Sequence, residues 1–107
     1  MTKEQLIRRI RTGAGEEPAD LVIKNARIVD VYNARILDGD IAIADGVIAG
    51  IGSYSCDHEI DAAGAYVAPG LIDSHIHIES SYVSPEEMGR MVVPHGTTTI
   101  IADPHDI

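Results

Sequence analysis

Cysteine occurs once, at Cys56, so no internal disulfide can form and a disulfide-stapled secreted domain is excluded. A reducing, cytoplasmic setting is expected. No apolar run approaches the ~20 residues needed to cross a bilayer. The longest, such as Val47 to Ile51, are short and broken by glycine, so no membrane partner is expected. The opening residues, "MTKEQLIRRIRTG", lack the apolar core and small-residue cleavage site of a signal peptide. Basic residues are scarce as well: eight Lys and Arg stand against seventeen Asp and Glu, a net charge of −9. Four of those eight (Lys3, Arg8, Arg9 and Arg11) fall within residues 1–11, which leaves the rest strongly acidic. An acidic body argues against nucleic acid as a partner, because such binding is driven by phosphate neutralisation. The short basic stretch is read as a solvated helix face. Repeats and low-complexity tracts are also lacking. What is present, 107 residues of which 45% are hydrophobic, suffices for a small domain with a modest core.

The residues divide into three stretches. Residues 1–19 read as a helix and linker: Thr2 and Gln5 form a capping box, Leu6, Ile7 and Ile10 make a stripe, and Gly13 ends it. Residues 20–68 switch to short strands, "LVIKN" and "RIVDVY", with "NAR" (33–35) as a turn. Next, "DIAIADGVIAGIG" is a hairpin turning at Asp45-Gly46, and "HEIDAAGAYVAPG" adds two short strands around Ala62 to Gly64. Such spacing predicts a β layer of sandwich type. Residues 69–107 change again. "LIDSHIHI" is a strand, and "SPEEMGRMVVPHG" is a helix with Ser84 as cap, Pro85 at its first position, Glu87 completing a capping box and Gly96 ending it. "TTTIIAD" is a second strand. Strand, helix, strand is a βαβ unit, which implies a parallel sheet.

The chemistry concentrates in "LIDSHIHIESS". On a strand, Asp73, His75, His77 and Glu79 share one face. The two histidines then have Cα atoms roughly 6–7 Å apart, and their ring nitrogens can converge on one ion at ~2.0–2.1 Å. The bland alternative is a pair of surface or core histidines. Two features favour metal: carboxylates on the same face, and a position near the C-terminal end of a strand, where α/β folds bind ligands. Asp73 either orients a metal-bound histidine or caps a turn after Gly70. Glu79 contacts substrate at the strand's mouth or faces water. In "ADPHDI", Asp103 and His105 fall at the same sheet end as His77, as site residues or as parts of a turn. His95 suits a helix C-terminus, while His58 and Cys56 have no visible chemistry.

The stretch "DAAGAYVAPGLIDSHIH", after a β-rich segment, resembles the start of the barrel in the metal-dependent amidohydrolase superfamily. Further on, "ESS", "VVPHGTTT" and "ADPH" resemble the adenine deaminases within it. The resemblance implies an α/β chain with a β-rich part: the N-terminal half of a β-sandwich, then the first βαβ unit of a (β/α)8 barrel. It implies a deaminase converting adenine and water to hypoxanthine and ammonia, with a small-molecule substrate and a homo-oligomer in the complete enzyme. It assigns His75 and His77 to a divalent metal, Mn2+ or Fe2+ with Zn2+ as a further candidate. Asp73, Glu79, Asp103 and His105 stay candidates for supporting or substrate roles. Such a barrel needs ~200 residues or more, so the chain is expected to be the opening part of a longer enzyme, inactive alone, with the catalytic residues beyond it. Two alternatives stay open: another cyclic amidohydrolase of hydantoinase or dihydroorotase type, and a non-catalytic β-rich module with a weak metal site.

Overall fold

The computed structural model describes residues 1–103, and the chain divides into two compact units, Met1–Ala68 and a second from Pro69 onward. The first unit begins with α1 (Lys3–Gly13), whose capping box is complete: the Thr2 hydroxyl accepts from Gln5 N and the Gln5 side chain accepts from Thr2 N. Five strands follow: β1 (Leu21–Asp30), β2 (Arg35–Ala44), β3 (Val47–Gly52), β4 (Glu59–Asp61) and β5 (Tyr66–Val67). They make one sheet in which β3, β2 and β1 run antiparallel in turn, while β4 and β5 both lie parallel to β1.

The two strands expected at "LVIKN" and "RIVDVY" are one strand with a bulge. Two residues of β1, Lys24 and Asn25, oppose the single Asp40 of β2, and Asn25 has φ +57°. A bulge reverses the alternation of faces, so Ile23 before it and Ala26 and Ile28 after it all point the same way, with Leu37, Ile41 and Ile43. Val22, Ala42 and Ala44 occupy the other face and are fully buried. Their small side chains leave room for α1, which lies against β2 and β3. The approach is close at Gly13, where a Cβ would come within 2.5 Å of the Ala49 carbonyl oxygen. Tyr54 Oη donates to the Gly13 carbonyl at 2.6 Å and ties the helix end to the segment after β3.

The basic helix face, expected from the sequence to be solvated, is partly engaged by carboxylates. Arg8 donates to Asp20 at 2.7 Å and to Asp45 at 2.9 Å, which joins α1 to the hairpin turn. That turn, Asp45-Gly46, has both residues at positive φ (+53° and +75°), the geometry a two-residue hairpin requires. The turn before β2 is held by Asp30, which accepts from Tyr32 N and Asn33 N and pairs with Arg35. Asp40 is the buried carboxylate of this unit. It is 6% exposed and accepts from Lys24 Nζ (2.7 Å), Asn25 N (3.0 Å) and Tyr54 N (3.0 Å). The Lys24 ammonium and then the two backbone N–H groups lower its pKa to about 2.

The second unit is β6 (Leu71–Ile76), a 3-10 turn over Ile78–Ser80, α2 (Pro85–Val92), a second 3-10 turn over Val93–His95 and β7 (Thr97–Ala102). β6 and β7 pair in parallel across α2, a βαβ unit. The Ser84 hydroxyl accepts from Glu87 N and Pro85 occupies the first turn. The reciprocal bond of a capping box is not made, because the Glu87 carboxylate pairs with Arg90 at 3.2 Å instead. Gly96 ends the second 3-10 turn at φ +100°. Among the described residues no helix is long and apolar enough to cross a membrane.

Candidate metal centre

The sequence places the candidates at the C-terminal ends of two parallel strands. β6 stops at Ile76 and β7 at Ala102, which are register partners, so His77 and Asp103 leave the sheet side by side. His75 is still within β6, and His77 follows in an extended conformation (φ −110°, ψ 94°). The register with β7 shifts between Asp73 and Ile76, so alternation does not run unbroken from Asp73, yet both imidazoles lie on one side, where their rings meet.

The two rings meet edge to face with centroids 4.9 Å apart, and their Nε2 atoms are separated by 2.9 Å. This separation is a test of fit for a metal. Two nitrogens each ~2.0–2.1 Å from a common ion and 2.9 Å from one another subtend about 90° at it, the angle between adjacent ligands of an octahedral ion. The same 2.9 Å suits an N–H···N bond from one imidazole to the other when no ion is bound. Ion binding needs a lone pair on His77 Nε2, and the neighbouring carboxylate supplies the reason for one. Glu79 Oε1 lies 3.1 Å from His77 Nδ1. A carboxylate accepts, so Nδ1 bears the hydrogen and Nε2 of the neutral ring carries the lone pair.

Glu79 reaches this position by a route that strand alternation does not predict. The strand has already ended, and the 3-10 turn brings the carboxylate back toward His77. Ser81 closes the turn, with both its N–H and its hydroxyl bonded to the Ile78 carbonyl. Asp73 Oδ1 accepts from the backbone N–H of His75 at 3.1 Å, so its bond goes to the chain and not to an imidazole. His105 lies outside the described residues. Among the described residues no group of three or more His, Cys, Asp and Glu is placed to surround one ion. An open groove of about 520 Å³ in the first unit is lined by Asn25, Arg27, Asp38, Asp40 and Ser53 among others and contains no histidine.

Residues 5–72 match the family model for the urease alpha-subunit, N-terminal domain. Over its whole length the chain is 71% identical to "Adenine deaminase 2" of Desulfotalea psychrophila and 63% identical to "Adenine deaminase" of Ligilactobacillus salivarius. It spans 19% of the length of each of these relatives. Among solved structures it is similar to an N-acyl-D-glutamate deacylase from Bordetella bronchiseptica, complexed with zinc and a phosphonate inhibitor. The TM-score is 0.68 at 34% identity, covering 80% of this chain and 19% of that one.

Proposed function

The chain belongs to the family of the urease alpha-subunit, N-terminal domain, and we propose that it is the opening part of a metal-dependent adenine deaminase. In this reading residues 20–68 belong to a β-sandwich and residues from 69 onward open a (β/α)8 barrel. The β6–α2–β7 unit supports the barrel part. Its two strands are parallel, and Leu71, Ile72 and Ile101 are more than half exposed, as strands are before their neighbours and covering helices are added.

The observation that carries the metal reading is the 2.9 Å approach of the His75 and His77 Nε2 atoms at the C-terminal end of a parallel strand. His75 and His77 would hold a divalent ion, Mn2+ or Fe2+ by the adenine deaminase reading and Zn2+ by the deacylase likeness. Activation of water near neutral pH is the chemistry such an ion supplies. The residues of this chain hold two imidazoles on one side of the strand end, with one ring's tautomer set by Glu79. Substrate choice follows from likeness: 71% identity to an adenine deaminase against 34% to a deacylase favours adenine, with hypoxanthine and ammonia as products.

The test uses the full-length polypeptide that carries these residues, loaded with Mn2+ and given adenine. Hypoxanthine and ammonia should form in equal amounts, and His77→Ala should lower turnover by ~100-fold or more. Hydrolysis of hydantoin, dihydroorotate or an N-acyl amino acid with adenine untouched would overturn the substrate and leave the metal centre standing.

A further inference from the structure

Glu79 follows the second histidine by two residues, and a continued strand would carry it roughly 6–7 Å further along the sheet edge. The chain turns instead. The 3-10 turn over Ile78–Ser80 returns the carboxylate to His77, where Oε1 meets Nδ1 at 3.1 Å. Its side chain is 11% exposed, against 30% for His77. Burying a carboxylate carries a desolvation cost that only good partners offset. An Nδ1–H donor fixed by the same turn is such a partner.

We infer that Glu79 is a positioning residue for the metal centre: by accepting the Nδ1 hydrogen of His77 it fixes the ring tautomer and rotation that aim Nε2 at the point faced by His75 Nε2. The inference rests on the metal-site reading above and deepens it. A carboxylate behind a ligating imidazole holds the ring in place and raises its basicity, and removing one weakens metal binding 10–100-fold in characterised sites. The two imidazoles are then held unequally. Asp73, the carboxylate nearest His75 in sequence, bonds to the backbone N–H of that residue and steadies the strand end instead of the ring. Glu79→Ala should therefore weaken the site more than Asp73→Ala does.

The experiment uses the full-length polypeptide, stripped of metal and titrated with Mn2+ against a competing chelator. Wild type, Glu79→Ala, Glu79→Gln, Asp73→Ala and His77→Ala are compared, with adenine turnover measured separately on the loaded proteins. Glu79→Ala should raise the Mn2+ Kd ~10–100-fold, and Glu79→Gln, whose amide oxygen still accepts from Nδ1, should recover most of that loss. A merely structural carboxylate would not be rescued in this way with the thermal midpoint unchanged. Wild-type Mn2+ affinity in Glu79→Ala, with only KM for adenine raised, would assign Glu79 to the substrate and overturn the inference. Weakened Mn2+ binding in Glu79→Ala alongside a wild type that does not turn over adenine would uphold the positioning role and sink the deaminase reading. Unchanged Mn2+ affinity in His77→Ala would overturn both.

Discussion

The two units contrast in how completely each satisfies its own residues. In the first, Val22, Ala42 and Ala44 are fully buried, Ile28 and Ile41 are 5% exposed, and the one deeply buried carboxylate, Asp40, has three donors. In the second, Met88 is the one hydrophobic residue of the described set that is buried, and Leu71 and Ile72 are 62% and 65% exposed. Both are written in similar sequence grammar, short apolar strands between turn signals. The difference lies in neighbours. Five strands pair edge to edge and a helix covers one face of their sheet, whereas two parallel strands leave most of theirs open. The exposed pair of strands also carries the candidate metal ligands, so the least self-sufficient part of the chain is the part with chemistry.

One pair of substitutions tests that contrast with identical chemistry. Ile41→Ala removes buried methyl groups and should destabilise the first unit by about 2–4 kcal/mol. Ile72→Ala removes the same atoms from an exposed position and should change stability of this 107-residue chain by less than about 0.5 kcal/mol. Urea denaturation followed by circular dichroism measures both. Equal effects would break the comparison and show that Ile72 is covered in solution.

Asp40 sharpens the comparison through pH. Its folded pKa, about 2, lies below the ordinary aspartate value of 3.8. Unfolding therefore takes up a proton when pH falls between these values, and the stability conferred by the ionised form is present above pH ~4 and lost toward pH ~2. The shift corresponds to about 2 kcal/mol. Asp40→Asn should lower the thermal midpoint at pH 7, and the gap from wild type should close as pH falls to about 2. A gap of constant size across that range would show that the carboxylate's charge is not what holds the bulge.

Much of this was legible where the signal is local. Caps at Thr2 and Ser84, the Asp45-Gly46 turn and the Gly96 stop each depend on residues within four positions, so their chemistry is readable in one window. The facing of His75 and His77 is local too, since it follows from alternation over two residues. The bulge at Lys24–Asn25 reads as a strand break in the sequence because a phase reversal and an interruption look alike in a hydrophobic pattern. What distinguishes them is Asp40, fifteen residues from Asn25, and no spacing rule reaches that far. Parallel pairing of β4 and β5 with β1 is hidden for the same reason. Strand periodicity puts Glu79 at the strand's mouth, but β6 stops at Ile76 and a 3-10 turn follows.

The smallest expected effect concerns how α1 is held. Tyr54→Phe keeps the ring and removes only the bond from Oη to the Gly13 carbonyl, one of the last carbonyls of the helix, which have no partner within it. A single neutral hydrogen bond contributes about 1 kcal/mol, less than burial at Ile41 or the charge network at Asp40. The helix keeps its Arg8 ion pairs and its contact at Gly13, so it should remain docked. Hydrogen exchange separates the alternatives. Faster exchange confined to α1 amides would mean that the helix is a separately releasable cover on an otherwise stable sheet. Faster exchange throughout β1 to β3 would mean that helix and sheet unfold together, and that the first unit's advantage over the second depends on its single helix as much as on its strand count.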